Sequence, residues 1–194
     1  MPRLILGGSF NPIHHGHLIC ARCVAEQSGF GCVTLMPTAQ PPHKAAPADL
    51  APAGDRLAMA RLAVLGDPLF EVDDLEILRP GPSYTIDTVR QIARGDSIHW
   101  LIGADMLLYL PHWHRIEELL REVNFVIMER PGWPIDWNLL SPLFQPLRRN
   151  VVTAPLIDIR ATEIRRRCAA GLAIDYLAPA GVCRYIREHG LFVR

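Results

Sequence analysis

The sequence predicts an α/β protein built on a doubly wound parallel sheet with helices on both faces. Short apolar segments alternate with longer segments whose apolar residues repeat at helical spacing, along most of the chain. The strand segments are almost wholly apolar, which is typical of parallel strands buried on both faces. With 194 residues, 49% of them hydrophobic and 21% charged, we expect one domain. Residues 1–155 would form its core and residues 156–194 a small C-terminal helical segment.

Five elements are predicted in the first half of the chain. They are a strand at 3–6 that ends at Gly7-Gly8, a helix around 18–25 that ends at Gly29, a strand at 33–36, a helix at 53–65 and a helix that ends near 93. The helix at 53–65 offers Leu57, Ala60, Leu62 and Val64 for burial. Ser83 or Thr85 is the expected N-cap of the last helix, because a hydroxyl oxygen can accept a backbone N–H there.

Six elements are predicted in the second half. They are strands at 97–102, 125–128 and 151–153, and helices near 115–120, 161–170 and 179–189. The segment 38–52 is rich in Ala and Pro and has no periodicity, which is typical of a surface loop. Ligands of doubly wound sheets bind beyond the carboxyl ends of the strands. We therefore expect the site in the segments that follow Leu6, Met36 and Ile102.

Composition excludes several classes of function. Twenty basic and twenty acidic residues cancel, which argues against a general binder of nucleic acid or of membrane surfaces. No apolar run approaches the about 18 residues of a membrane-spanning helix, and the N-terminus lacks the apolar core of a signal peptide. Five cysteines without the spacing of a disulfide framework favour a reducing cytoplasm. Small-molecule substrates are the expected partners, and the sequence leaves monomer and homodimer open.

The turn after the first strand carries two glycines and two histidines. Gly7-Gly8 lets the backbone approach a ligand closely, and the helix that follows offers its positive end to an anion. His14 and His17 are three residues apart, so their imidazoles should project to one side. Three interpretations stay open from the residues alone: phosphate contacts, local hydrogen bonding, and metal binding with further ligands from elsewhere.

Six segments match one known pattern in the same order along the chain. They are 7–17, 41–44, 82–88, 102–105 with Trp113, 162–165 and 176–186. Together they resemble the nucleotidyltransferase superfamily with an H-x-G-H motif, and within it the bacterial nicotinate-nucleotide adenylyltransferases. The resemblance implies a Rossmann-like fold. It also implies an enzyme of NAD biosynthesis that transfers the adenylyl group of ATP to nicotinic acid mononucleotide, giving nicotinic acid adenine dinucleotide and pyrophosphate.

The resemblance also assigns roles to residues. The catalytic cations are His14, His17, Lys44 and Arg165, which would stabilise charge on the triphosphate. The ATP-binding residues are Gly7, Gly8, Ser9, Phe10, Gly16, Gly103, Asp105 and Thr162. Nicotinic acid mononucleotide would contact Tyr84, Thr85 and Trp113, the indole lying against the pyridinium ring. Mg²⁺ is expected to accompany ATP, mainly on the nucleotide, and no residue of the chain is predicted to bind metal.

The sequence departs from the family pattern in several places. Arg160 and Ala161 replace two serines before Thr162, so we expect Asp158 to cap the helix there, with Arg160 on either a phosphate or solvent. His114 stands where many relatives carry Tyr, and Asn11 replaces the commoner Asp. Cys20 and Cys23 have C-x-x-C spacing but fall inside a predicted helix, where core packing is expected.

Two other functions remain open at this stage. One is adenylyl transfer to another phosphorylated acceptor, such as nicotinamide mononucleotide or phosphopantetheine. The other is nucleotide binding without catalysis. Trp113 together with Tyr84-Thr85 favours the nicotinate acceptor, and the presence of all four cations argues against a protein without activity.

Overall fold

One sheet of six parallel strands forms the centre of the protein. The computed structural model describes residues 3–42, 49–93, 97–129 and 134–193. The strands are β1 Arg3–Gly8, β2 Cys32–Pro37, β3 Phe70–Val72, β4 Ile98–Gly103, β5 Asn124–Glu129 and β6 Val151–Thr153. Their order is β3-β2-β1-β4-β5-β6, and every neighbouring pair is parallel. The chain thus winds outward from β1 in both directions, which confirms the doubly wound sheet.

Helices connect these strands. The α-helices of the described residues are α1 His15–Ser28, α2 Ala53–Ala63, α3 Leu75–Leu78, α4 Thr85–Ile92, α5 Ala104–Leu107, α6 Ile116–Glu122, α7 Ala161–Ala169 and α8 Ala180–Glu188. Segments of 3₁₀ helix occupy Leu110–His112, Trp137–Leu139 and Pro142–Asn150. Every predicted strand and helix is present, with ends shifted by a few residues. Within the described ranges, no helix has the length and apolar character to span a bilayer.

The core lies on both faces of the sheet, because alternate strand residues point to opposite sides. Leu4 and Val126 belong to one apolar cluster, and Ile5 and Phe125 belong to the other. The first cluster takes residues from four helices, α1, α2, α7 and α8, with Val24, Met59, Ile164 and Val182 as examples. The second takes residues from α4 and α6, such as Ile86 and Leu119. Helices therefore cover both faces, as predicted.

The buried face of α2 differs from the prediction. Its buried residues are Arg56, Met59 and Ala60, whereas Leu62 is 36% exposed. The side of a helix that is buried depends on which segments pack against it, and apolar periodicity alone missed a charged residue on that side. Arg56 is only 1% exposed.

Two predicted helix caps are wrong. The N-cap of α4 is Tyr84 and has no side-chain cap bond, while the Ser83 hydroxyl instead accepts the backbone N–H groups of Ala39 and Gln40. The N-cap of α7 is Arg160, again without a side-chain bond. Asp158 does not reach the helix, because its carboxylate accepts Nε of Arg160 at 2.9 Å, and both side chains are exposed. Arg160 therefore faces solvent.

Candidate active site

A cavity of about 430 Å³ lies at the carboxyl ends of β1, β2 and β4, where strand topology places ligands. Residues that follow each of these strands line it, including Ser9, Thr38 and Asp105. Most of the predicted site residues also line it, namely Gly7, Gly8, Ser9, Phe10, His17, Thr85, Gly103, Asp105, Trp113, Thr162 and Arg165. His14, Gly16 and Tyr84 lie outside its lining, and Lys44 lies outside the described residues.

His14 and His17 form a stacked pair at the start of α1. Their ring centroids are 3.8 Å apart, and the backbone N–H of His14 donates to Nδ1 of His17 at 3.3 Å. A neutral imidazole that accepts at Nδ1 carries its proton on Nε2, so His17 is set up as an Nε2–H donor. His17 lines the cavity, whereas His14 is buried behind it. The edge of Phe10 packs against the His17 ring and completes the arrangement.

Two glycines make room for this arrangement. A Cβ at Gly16 would lie 3.0 Å from Nδ1 of His14 and 3.4 Å from the carbonyl oxygen of Ile159. A Cβ at Gly7 would lie 2.8 Å from the Trp100 ring. Both distances are tighter than ordinary contacts, so a side chain at either position would displace a neighbouring ring. The glycines of the turn thus serve close packing as well as access to a ligand.

Arg165 reaches the cavity from α7 and is held in place there. Its Nε donates to Oδ2 of Asp49 at 2.5 Å, and its Nη1 donates to the carbonyl oxygen of Asn11 at 2.9 Å. Only 13% of its side chain is exposed, and that fraction faces a site lined by Ala161 and Thr162 of the same helix. The Asp49 carboxylate therefore already accepts one of the N–H groups of the Arg165 guanidinium.

Asn11 has a structural role that sequence reasoning missed. Its Nδ2 donates to the carbonyl oxygen of Asp49 at 3.0 Å, and its Oδ1 accepts the backbone N–H of Ala51 at 3.0 Å. The side chain thus ties the first turn to the end of the 38–52 segment. An aspartate could accept from Ala51 but could not donate to Asp49, so the amide is the side chain that suits both bonds.

A buried hydrogen-bond network supports the wall of the cavity near α4. Glu76 is 3% exposed and lines the cavity, and its Oε1 accepts the hydroxyl of Thr88 at 2.6 Å. Nη2 of Arg79 donates to the same hydroxyl oxygen at 2.8 Å. Burial raises the pKa of Glu76, although the hydrogen bond from Thr88 and the charge of Arg79 oppose that shift. Nothing in the sequence around Glu76 predicted a buried carboxyl group.

Trp113 belongs both to the core and to the cavity. Its ring meets Phe125 edge to face, with centroids 6.1 Å apart, and it lines the cavity together with Thr85, the first residue of α4. The Tyr84 ring lies 4.3 Å from the His114 ring, which is exposed. His114 therefore contacts Tyr84 instead of forming a wall of the cavity.

The described residues contain no group of three His, Cys, Asp or Glu side chains that could hold a metal ion. Glu76 and Asp105 are the acidic residues of the cavity lining in the part of the chain that the structure describes. None of the five cysteines, all of them in described parts of the chain, forms a disulfide, and Cys20 is buried in α1. The cavity lining thus offers backbone amides, the His17 imidazole, the Arg165 guanidinium and two indoles, a set suited to binding anionic nucleotides.

Comparisons with known proteins point to one family. The model of the cytidylyltransferase-like family matches residues 5–167. A protein of Geobacillus kaustophilus named "Probable nicotinate-nucleotide adenylyltransferase" is 41% identical over 191 residues, which cover 97% of this chain and 84% of the relative. A protein of the same name from Herpetosiphon aurantiacus is 40% identical over 194 residues, covering 97% of each chain.

Solved structures show the same fold. Plasmodium falciparum nicotinic acid mononucleotide adenylyltransferase complexed with NaAD matches with a TM-score of 0.75 and 19% identity, covering 99% of this chain and 98% of the other. The same enzyme complexed with APC matches with a TM-score of 0.73 and 18% identity, covering 98% and 96%. These matches confirm the Rossmann-like α/β architecture.

Proposed function

The chain belongs to the cytidylyltransferase-like family and, within it, to the nicotinate-nucleotide adenylyltransferases, and we propose that the cavity beside β1 and β4 holds both of its substrates. The enzyme transfers the adenylyl group of ATP to nicotinic acid mononucleotide, giving nicotinic acid adenine dinucleotide and pyrophosphate in NAD biosynthesis. One observation carries the proposal. A single cavity has a turn suited to phosphate at one wall and Trp113 with the start of α4 at another.

The phosphate groups are proposed to lie against the first turn. The 5′-phosphate of the mononucleotide attacks the α-phosphorus of ATP, a new P–O bond forms, and the bond to the β-phosphate breaks so that pyrophosphate leaves. The attacking phosphate is already ionised near neutral pH, so no side chain has to act as a base. Positioning and stabilisation of the accumulating charge remain as the work of the protein.

The cations divide that work. His17 donates through Nε2–H to the phosphates, and the stacked His14 ring holds it in that orientation. Arg165 binds the β- and γ-phosphates in place of the Asp49 carboxylate, and Lys44 contributes a point charge. Gly7, Gly8, Ser9, Phe10, Gly16 and Thr162 shape the phosphate site. Gly103 and Asp105 line the adenosine side, where the carboxylate accepts a ribose hydroxyl.

Nucleotidyltransferases of this family use a divalent metal ion together with ATP, and we infer Mg²⁺ here. With no three-residue ligand group among the described residues, the ion would be bound mainly by phosphate oxygens and water, a donor set that suits Mg²⁺. When bound, it neutralises negative charge on the triphosphate.

The nicotinate group is proposed to lie between Trp113 and the start of α4. A cationic pyridinium ring over an indole is favourable by about 0.5–2 kcal/mol. The first backbone N–H groups of α4 and the hydroxyl of Thr85 suit a carboxylate, and the helix N-terminus favours negative charge. Tyr84 is the N-cap, and its own backbone N–H donates to the carbonyl oxygen of Pro82 at 3.0 Å, so the proposed backbone donors to the carboxylate are those of the residues that follow it. Both features favour the acid over the amide.

The proposed substrates are free nucleotides, with no nucleic acid or membrane as partner. We propose a cytoplasmic location, which the five free cysteines and the nucleotide substrates support. We also propose that residues 1–194 act as one domain, in which the segment 156–194 supplies Thr162 and Arg165 to the cavity of the core.

A paired assay tests the acceptor. Pyrophosphate release is measured with ATP and either nicotinic acid or nicotinamide mononucleotide, and kcat/KM is compared. We expect the acid to be preferred by about 10–100-fold or more, since a buried polar group left unmatched costs about 1–3 kcal/mol. Equal rates would favour an enzyme with a broader acceptor range. If ATP binds but no pyrophosphate is released with either acceptor, the protein binds nucleotide and does not catalyse the transfer.

A further inference from the structure

Arg56 is a buried arginine whose hydrogen bonds all go to backbone carbonyl groups. Its Nε donates to Ala51 at 3.0 Å, its Nη1 to Ser9 and Thr38 at 2.7 Å each, and its Nη2 to Ala39 at 3.1 Å. Its partners among the described residues include no carboxylate. A buried charge without an opposite charge is costly, and burial lowers the pKa of this guanidinium. An apolar side chain would fill the same space without the free-energy cost of burying a charge. We therefore look for a function in the four hydrogen bonds of Arg56.

The four carbonyl groups belong to segments that border the cavity. Ser9 and Thr38 line it, following β1 and β2. Ala39 continues from Thr38, and Ala51 lies at the far end of the segment 38–52. The planar guanidinium therefore joins three separate pieces of backbone at one edge of the phosphate site, which a single ammonium group could not do in the same geometry.

The peptide groups bound by Arg56 have a defined orientation. In a trans peptide the C=O of one residue and the N–H of the next point in opposite directions. The carbonyl groups of Thr38 and Ala39 point to Arg56, and the following N–H groups, of Ala39 and Gln40, point away to the Ser83 hydroxyl at 3.2 and 3.4 Å. By the same geometry, the Ser9 carbonyl bond to Arg56 turns the N–H of Phe10 away from the guanidinium.

The backbone N–H of Phe10 differs from those of Ala39 and Gln40, which both donate to the Ser83 hydroxyl. Phe10 lines the cavity, is 2% exposed and has a φ of 44°, a left-handed conformation that bulky residues rarely adopt. Within the described ranges, no hydrogen bond takes its N–H. Buried backbone N–H groups almost always have a partner, so a donor left open at a cavity wall is suited to an anionic ligand.

We propose that Arg56 is a positioning residue for adenylyl transfer, which holds the Phe10 amide as a donor to a phosphate oxygen of the bound nucleotides by binding the carbonyl group of Ser9. Through Thr38 and Ala39 it also fixes the backbone that meets Ser83 beside α4. The inference rests on the proposed function for the identity of the ligand. Arg56 itself does not touch the substrate.

Arg56→Lys tests this role, because lysine keeps the charge and loses the fork that serves several carbonyl groups. The protein is labelled with ¹⁵N-phenylalanine, which gives six amide signals at most, and the Phe10 signal is assigned from Phe10→Leu. Inorganic pyrophosphate is the probe. We expect it to shift the Phe10 signal in the wild type and to leave it in place in Arg56→Lys, with a 10–100-fold lower kcat/KM for ATP in a protein that stays folded, its Tm lowered by several degrees because buried carbonyl groups lose their donor.

Arg167→Lys is the matched control, since Arg167 also donates to a backbone carbonyl, that of Ala173 at 2.7 Å, but is only half-buried and lies outside the cavity lining. It should retain the shift and the activity. A wild-type shift and rate in Arg56→Lys would overturn the proposal, as would unfolding of both Arg56→Lys and Arg56→Gln, which would assign Arg56 to the fold alone. A wild-type Phe10 signal that ignores pyrophosphate would also overturn it. If pyrophosphate shifts the Phe10 signal but the wild-type protein shows no adenylyl transfer, the result contradicts the proposed function and leaves the role of Arg56 in place.

Discussion

The two walls of the cavity are built in different ways. The first-turn wall, residues 7–17, is one contiguous segment in which stacked imidazoles and tightly packed glycines are arranged by local contacts. The α4 wall, residues 75–88, depends on buried side chains such as Glu76 and Thr88, and on Ser83 bonds to the segment after β2. The first wall presents hydrogen-bond donors directly, whereas the second presents the start of a helix that a network behind it holds in place.

This difference matches the ligands proposed for each wall. A triphosphate needs several donors and cations, which the first turn and Arg165 supply together. A nicotinate carboxylate would be repelled by a fully ionised Glu76 nearby. The positive charge of Arg79 lies beside Glu76 and offsets its negative charge, and burial raises the pKa of Glu76.

The largest expected effect comes from the first-turn wall. His17→Ala removes a donor to the charge that accumulates on the phosphates, and we expect kcat to fall by about 100-fold or more. Pyrophosphate release measures the rate, and circular dichroism confirms the fold. His15→Ala is the control, because His15 begins the same helix outside the cavity lining. A near-normal rate in His17→Ala would remove His17 from catalysis.

A smaller effect is expected from the aromatic residue on the opposite side. Trp113→Ala should raise the KM for nicotinic acid mononucleotide by about 2–30-fold, the loss of a stacking contact, with little change in the KM for ATP. The control is Trp137→Ala, whose ring packs under Arg148 away from the cavity lining. Equal changes for both substrates would contradict the assignment of the two walls to two ligands.

The smallest effect concerns stability. Because the folded state raises the pKa of Glu76 above its ordinary value of 4.5, the folded protein holds this proton more tightly than the unfolded chain. The contribution of Glu76 to the free energy of unfolding is therefore greatest below pH 4.5, and it is lost as pH rises through the raised pKa. Glu76→Gln stays neutral, so its Tm relative to wild type should increase between pH 4 and pH 8, by about 2–4 °C.

Glu118→Gln provides the comparison of opposite sign. Hydrogen bonds from Arg115 and Arg90 lower the pKa of the exposed Glu118 to about 2. The contribution of Glu118 to stability is present above pH 4.5 and is lost as pH falls through about 2. The Tm of Glu118→Gln should therefore not exceed that of the wild type at pH 8. A Tm difference for Glu76→Gln that does not vary with pH would show that the Glu76 carboxyl group titrates normally.

The sequence predicted the longer elements and the three-residue strand β6, and it missed the other short ones. Strand β3 has three residues, and α3 and α5 have four each, which is too few for periodicity to be recognised. It also offered Leu62 for burial, which is 36% exposed, and it did not single out Arg56, which is buried. A polar residue is assigned to the surface unless its buried partners are known, and the partners of Arg56 lie in segments that are separate in the sequence.

What the sequence determined by itself is what neighbouring residues decide: the order of strands and helices, the first turn with His14 and His17, and the location of the cavity at the strand ends. The tertiary structure alone decided the hydrogen bond of Arg165 to Asn11, which is 154 positions away, and the buried positions of Arg56 and Glu76. The reason is physical. Periodicity and turn chemistry act over a few residues, whereas a hydrogen bond between distant segments exists only once the fold has brought its donor and acceptor together.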